Sequence, residues 1–169
     1  NTVGSFTCAC NDGYLGSGAG ANTTLLDVPY EGHVYSSVNV GDVAPGEVLQ
    51  SRGRLDSTST WVSGALAIGE WMQLDVGEPT AVAGVATKGR YDYAEQWVTS
   101  FKVKHSLDAV AWTDVDSWAT FAGNTDKDTL VSSLFAGPVQ ARYVRIYPQT
   151  WNGYMCMRAG VLLQLGCAD

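Results

Sequence analysis

The strongest constraint on what this chain can fold into is a period of two that returns along most of its length. In Trp71-Met72-Gln73-Leu74-Asp75-Val76, the residues Met72, Leu74 and Val76 fall on one face. In Phe101-Lys102-Val103-Lys104-His105 apolar residues alternate with lysines, Val144 and Ile146 share a face within Arg142 to Tyr147, and Val161, Leu163 and Leu165 do so near the end. A half-buried strand produces this pattern because successive side chains point to opposite faces. Val82 to Thr87 is a short apolar run suited to a buried strand. Turn residues punctuate these runs at Ala44-Pro45-Gly46, Gly77-Glu78-Pro79, Lys88-Gly89-Arg90, Ala122-Gly123-Asn124 and Ala136-Gly137-Pro138. No segment of 10 or more residues keeps a 3.6 period. Many short strands at this spacing predict an all-β sandwich or jelly roll.

The 169 residues suit one such domain with little left over. Residues 1–22 differ in texture, being small, polar and ending in Gly16-Ser17-Gly18-Ala19-Gly20-Ala21, which reads as a flexible joint. The expected division is therefore a short N-terminal segment over 1–22 and one globular unit over 23–169. The chain begins in mid-motif at Asn1, as a fragment or processed product would. A net charge of −7 argues against nucleic acid and against electrostatic docking on anionic lipid.

The four cysteines, Cys8, Cys10, Cys156 and Cys167, do not have zinc spacing, and neither His33 nor His105 completes a ligand set. Disulfides fit better and imply an oxidising, extracellular compartment. Asn22-Thr23-Thr24 is an N-glycosylation sequon, which agrees with that compartment.

No catalytic constellation stands out. There is no GxSxG, HExxH or phosphate loop. His105 alternates with Phe101 and Val103 and reads as a strand residue, while Asp114/Asp116 and Asp126/Asp128 read as turn carboxylates. An enzyme is not expected.

The order of particular blocks resembles a known family. Gly53-Arg54-Leu55-Asp56-Ser57 with Trp61, then Glu70-Trp71-Met72-Gln73-Leu74-Asp75-Val76-Gly77, then Val85 to Arg90 and Gln96 to Phe101 are similar to successive blocks of discoidin domains, also called factor V/factor VIII type C domains. Ser106-Leu107-Asp108 with Trp112, Phe121 to Asp126, Ala141 to Pro148, Thr150-Trp151, Met157-Arg158 and Gly166-Cys167 continue the series. The resemblance covers about 27–167 and implies a discoidin-type jelly-roll β-sandwich of the galactose-binding-like kind. Residues Asn1 to Cys8, Cys10 and Gly13-Tyr14 resemble the second half of a calcium-binding EGF-like domain, without its last cysteine, so a short irregular EGF-like segment is expected at the N-terminus.

The resemblance also implies a disulfide from near the domain start to Cys167, and Cys10 is the favoured partner in place of the cysteine missing near Leu25. Some relatives pair a cysteine at the position of Cys156 with one at the position of Val62, so Cys156 is expected as a buried free thiol. Trp61, Trp71, Trp97 and Trp112 occupy block positions and are expected in the core.

Family ligands bind loops at one end of the sandwich, which here are Tyr35 to Pro45, Lys88 to Glu95, Asn124 to Asp128 and Trp151 to Tyr154. The candidate ligand-binding residues are Tyr35, Asn39, Arg90, Tyr91, Asp92, Tyr93, Asn124, Asp126, Trp151 and Tyr154. Arg90 to Tyr93 supplies a charged fork, two aromatic faces and an acceptor, the parts that sugar recognition uses. Membrane-binding relatives carry large exposed apolar residues on the first loop backed by basic ones. Here that loop reads Ser36 to Val43 and holds Asp42 but no large aromatic, so membrane insertion is disfavoured. No cofactor is required. A structural calcium ion would draw on Asp56 and Thr60, but the closing acid of calcium-binding relatives aligns near Val161, which has no side-chain oxygen. The expected function is an extracellular binding module for glycans or extracellular glycoproteins. The alternative is a structural assembly module contacting other copies or domains of the same protein, with phospholipid binding third.

Overall fold

The structure is a computed structural model and describes residues 22–40, 50–92 and 94–165. It is all-β. The strands are β1 (Thr23–Leu26), β2 (His33–Tyr35), β3 (Trp61–Val62), β4 (Met72–Lys88), β5 (Trp97–Ser106), β6 (Thr113–Asp114), β7 (Phe121–Ala122), β8 (Val131–Asn152) and β9 (Cys156–Gln164). Every pairing between them is antiparallel, in the order β1-β9-β4-β8-β5-β6, with β2 on β4, β3 on β9 and β7 on β5.

The two long strands make one sheet serve as both layers. Met72 to Asp75 of β4 pair with Tyr143 to Ile146 of β8 and with β2, whereas Thr80 onward pairs with the first half of β8 and with β9. The ladder shifts register between Asp75 and Thr80 and again between Val82 and Gly84. The sequence predicts strand ends at Gly77-Glu78-Pro79 and Gly137-Pro138, but the chain remains in strand through both. The reason is local. Pro79 and Pro138 both fall where the register shifts, so their missing N–H costs no ladder bond. Gly77 takes a φ of +93°, which a side chain would strain, and its N–H bonds the Asp75 carboxylate at 2.8 Å.

The main apolar core lies inside this curl, with a smaller cluster of Leu55, Ala86 and Leu162 beside it. Met72 and Leu74 of β4, Phe101 and Val103 of β5, and Val144 and Ile146 of β8 are buried within the main core as their period-two pattern requires, whereas β9 is buried from Cys156 to Leu162 on both faces and the exposed Leu165 breaks the alternation read there. Trp61 is fully buried. Trp71, Trp97 and Trp112 are only half-buried, contrary to the core placement expected of them. Two of these rings are bound instead by Arg145, which alternates outward between Val144 and Ile146. Its guanidinium carbon lies 3.9 Å from the centre of the Trp71 ring and 4.0 Å from that of Trp112. No helix among the described residues is long and apolar enough to cross a membrane.

Candidate ligand-binding site

β4 ends, β5 and β9 begin and β8 both begins and ends at one pole of the sandwich, because Lys88 pairs with Arg158, Thr87 with Val131 and Trp97 with Asn152. The connections over 89–96, 123–130 and 153–155 therefore gather there, beside the start of the long connection from β2 to β3. Asn39 N–H bonds the Val62 carbonyl at 2.9 Å and ties that connection to β3.

Arg158 holds these loops together. It is 3% exposed, and it donates from Nε to the Gly89 carbonyl at 2.8 Å and from Nη1 to Leu55 and Ser57 carbonyls at 3.2 and 3.4 Å. Its Nη2 donates to the Lys127 carbonyl at 3.0 Å, and Asp128 lies 3.8 Å away. Three separate loops thus converge on one guanidinium. Burial pulls its pKa below the usual arginine range, with Asp128 and Tyr91 opposing.

The 89–96 loop closes on itself above this anchor. Arg90 Nε donates to the Asp92 carboxylate at 2.7 Å, and Nη1 donates to Gln96 Oε1 at 2.8 Å. Gln96 Oε1 also accepts from the Cys156 thiol at 3.4 Å. Burial pushes that thiol up to about 12, so it stays protonated and can donate. Cys156 is a free, buried cysteine facing Val62 across the β3–β9 pair. Lys127 pairs with Glu95 at 3.2 Å and so links the 123–130 loop to this one.

Among the described residues, a cleft of about 430 Å³ is lined by Arg90 and Asp92 of this loop together with Val40, Gln50, Arg52, Thr58 and Ser59. Tyr91, next to it in sequence, is 48% exposed, and Arg158 lies 5.5 Å from its ring centre. Asn39 and Tyr154 meet each other through a 3.3 Å bond from Nδ2 to the phenol oxygen.

The other candidates are placed elsewhere. Tyr35 is 2% exposed and stacks on Trp61 at 5.6 Å, and its hydroxyl accepts from Gly53 N–H and donates to the Ser51 carbonyl. Asn124 is buried and spends its amide on Thr87 and Thr129. Both are buried and hydrogen-bonded within the fold, so the structure does not bring them to the cleft with Arg90 and Asp92. The Asp126 carboxylate accepts from Asp128 and Thr129, which lowers its pKa and fixes the turn. Trp151 packs against the core from β8. Tyr93, the Cys10–Cys167 pairing and the EGF-like segment up to Ala21 lie outside the described residues.

The two calcium candidates are engaged with protein partners. The Asp56 carboxylate is held by Arg54 at 2.9 Å, and the Thr60 hydroxyl donates to the Trp61 carbonyl at 3.3 Å. Nearby Leu55 and Ser57 carbonyls already serve Arg158. Among the described residues no group of three or more His, Cys, Asp or Glu could hold an ion.

Sequence reasoning missed Gln50, Arg52 and Arg158. The signal for Arg158 was an arginine inside an otherwise apolar strand, a position that needs buried partners.

Known proteins share this sequence pattern and this fold. The F5/8 type C domain profile matches residues 36–161. The chain is 33% identical over 132 residues to a Discoidin-1 polypeptide of Dictyostelium discoideum, covering 75% of this chain and 52% of that protein. It thus spans about half the length of that relative. Discoidin II from Dictyostelium discoideum superposes with a TM-score of 0.62 at 21% identity, over 86% of this chain and 59% of that one. A family 32 CBM from C. perfringens, solved in complex with galactose, gives a TM-score of 0.60 at 14% identity, over 83% of this chain and 98% of that one.

Proposed function

The chain belongs to the F5/8 type C domain family, and from that premise we propose that it is a non-catalytic extracellular module that binds glycans in the cleft lined by Gln50, Arg52, Thr58, Ser59, Arg90 and Asp92. The observation that carries this reading is the Arg90–Asp92 pair lining a cleft beside the exposed Tyr91 ring. A sugar offers hydroxyls that both donate and accept and apolar ring faces that stack on aromatics. A fixed guanidinium, a carboxylate and a phenol ring answer those needs. The loop is held from below by Gln96, Cys156 and Arg158, so its polar groups are positioned before a ligand arrives. A neighbour of the same fold in complex with galactose supports a sugar site on this architecture. Asn39 and Tyr154 border the same loop end and extend the surface a longer glycan would touch. Asn22, exposed just before β1, remains a candidate N-glycosylation site.

A glycan array with the whole chain, run with and without EDTA, tests the proposal. Binding is expected, unchanged by EDTA, and lost in Arg90→Ala and reduced in Tyr91→Ala. An array without binders overturns it.

A further inference from the structure

Arg52 differs from the other arginines. Arg54 pairs with Asp27 and Asp56, Arg90 with Asp92 and Arg142 with Asp75. Arg158 is spent on carbonyls, and Arg145 bonds Gln73 and covers two tryptophans. Arg52 has no carboxylate partner among the described residues, and its buried Nε has no hydrogen-bond acceptor. Gln50, two positions earlier, has a buried Oε1 without a donor. Both residues line the cleft just described. Native structures seldom leave such groups unanswered, and the pair asks for two different things: an anionic acceptor and a hydroxyl donor.

We infer that the cleft takes an acidic sugar, a hexuronic or sialic residue, with its carboxylate on Arg52 and a ring hydroxyl donating toward Gln50. The inference rests on the glycan reading above and names the class of sugar. A carboxylate matches the planar guanidinium fork, and Thr58 and Ser59, which also line the cleft, suit a polyol. The lining carries Arg52 and Arg90 against the single carboxylate of Asp92, a balance of one positive charge that suits a monoanionic sugar better than a phosphate dianion. The chain carries a net charge of −7, so it does not draw in polyanions from a distance. Attraction to Arg52 acts only at short range, within about 8 Å at physiological salt. That combination selects one charge on one residue rather than a charged surface.

Titration calorimetry on the whole chain decides it, using sialyllactose and digalacturonate, each against its own methyl ester, which keeps the shape and removes the charge. For at least one pair the free acid is expected to bind about tenfold more tightly than the ester. Arg52→Gln should erase that preference without weakening the ester, Arg52→Lys should keep part of it, and Lys102→Gln on the outer sheet face should leave it intact. High salt should shrink the preference in the unaltered protein, a readout that needs no variant to fold. Equal affinity for acid and ester, or a preference that survives Arg52→Gln, overturns the inference. If neutral glycans bind and both acids do not, the acidic class fails while the glycan reading stands. If no glycan binds at all, both fail.

Discussion

Arg158 donates from Nη2 to the carbonyl of Lys127 at 3.0 Å, so the last strand holds the loop that follows β7. The same guanidinium reaches Gly89 and the 55–57 turn. Replacing it by alanine leaves four carbonyls without a donor and three loops without a common anchor. Arg158→Ala is expected to cost roughly 3 kcal/mol of stability and to lower glycan affinity at least as much as Arg90→Ala. Arg158→Lys should rescue little, because a single ammonium cannot span acceptors arranged around a planar fork. Urea denaturation checks the first statement and glycan titration the second.

His33 gives the fold a pH limit. It is fully buried, its Nε2 donates to the Val28 carbonyl at 3.0 Å, and its Nδ1 has no partner. Burial lowers its pKa from 6.5 to about 4, with Asp27 and Arg54 pulling in opposite directions. The unfolded chain takes up a proton below pH 6.5 while the folded one resists until about 4. Stability from this group is therefore complete above pH 6.5 and falls as the pH drops toward 4, by roughly 3 kcal/mol in total. Denaturation midpoints measured between pH 7 and 4 should show this slope, and His33→Gln should flatten it.

Val62 and Cys156 face each other across β3 and β9, flanked by the Ser63 to Met155 backbone bond. That flank makes theirs a non-hydrogen-bonded pair, where side chains come closest. Val62→Cys should form a disulfide with Cys156 on mild oxidation and raise stability by roughly 2–4 kcal/mol. Loss of two protons by intact mass, with a higher Tm that reverts on reduction, checks it. An unchanged thiol count would show that the register is different.

The guanidinium of Arg145 lies over Trp71 and Trp112 and bonds Gln73 at 3.0 Å. Arg145→Gln should cost about 1–2 kcal/mol, since two ring contacts at half-buried sites are lost together. A cycle with Trp112→Leu should show coupling. Additive effects would mean the stack contributes nothing beyond burial.

The strands were legible because alternation is a local property. Met72 and Leu74, Phe101 and Val103, and Val144 and Ile146 all point inward as their spacing predicts. What spacing could not show is that Pro79 and Pro138 sit in register shifts, because a proline that stops a strand and one that lies in a bulge look the same in one dimension. At the site, Arg90 and Asp92 were readable from a polar loop at a strand end. For Tyr35 and Asn124, loop-like neighbours concealed that the one stacks on Trp61 and the other bonds Thr87 inside the fold. Arg52 and Gln50 flank Ser51, which bridges to Trp61, and nothing in the local pattern says which of the three faces a cleft.

The acceptors around Arg158 are main-chain carbonyls, at Leu55, Ser57, Gly89 and Lys127. A carbonyl is present whatever residue carries it. Side chains such as Tyr91, Thr58 or Lys127 can therefore be exchanged without breaking the anchor, provided the backbone keeps its path. The framework and the recognition surface are written in different parts of the same residues, which lets specificity drift while the scaffold stays fixed.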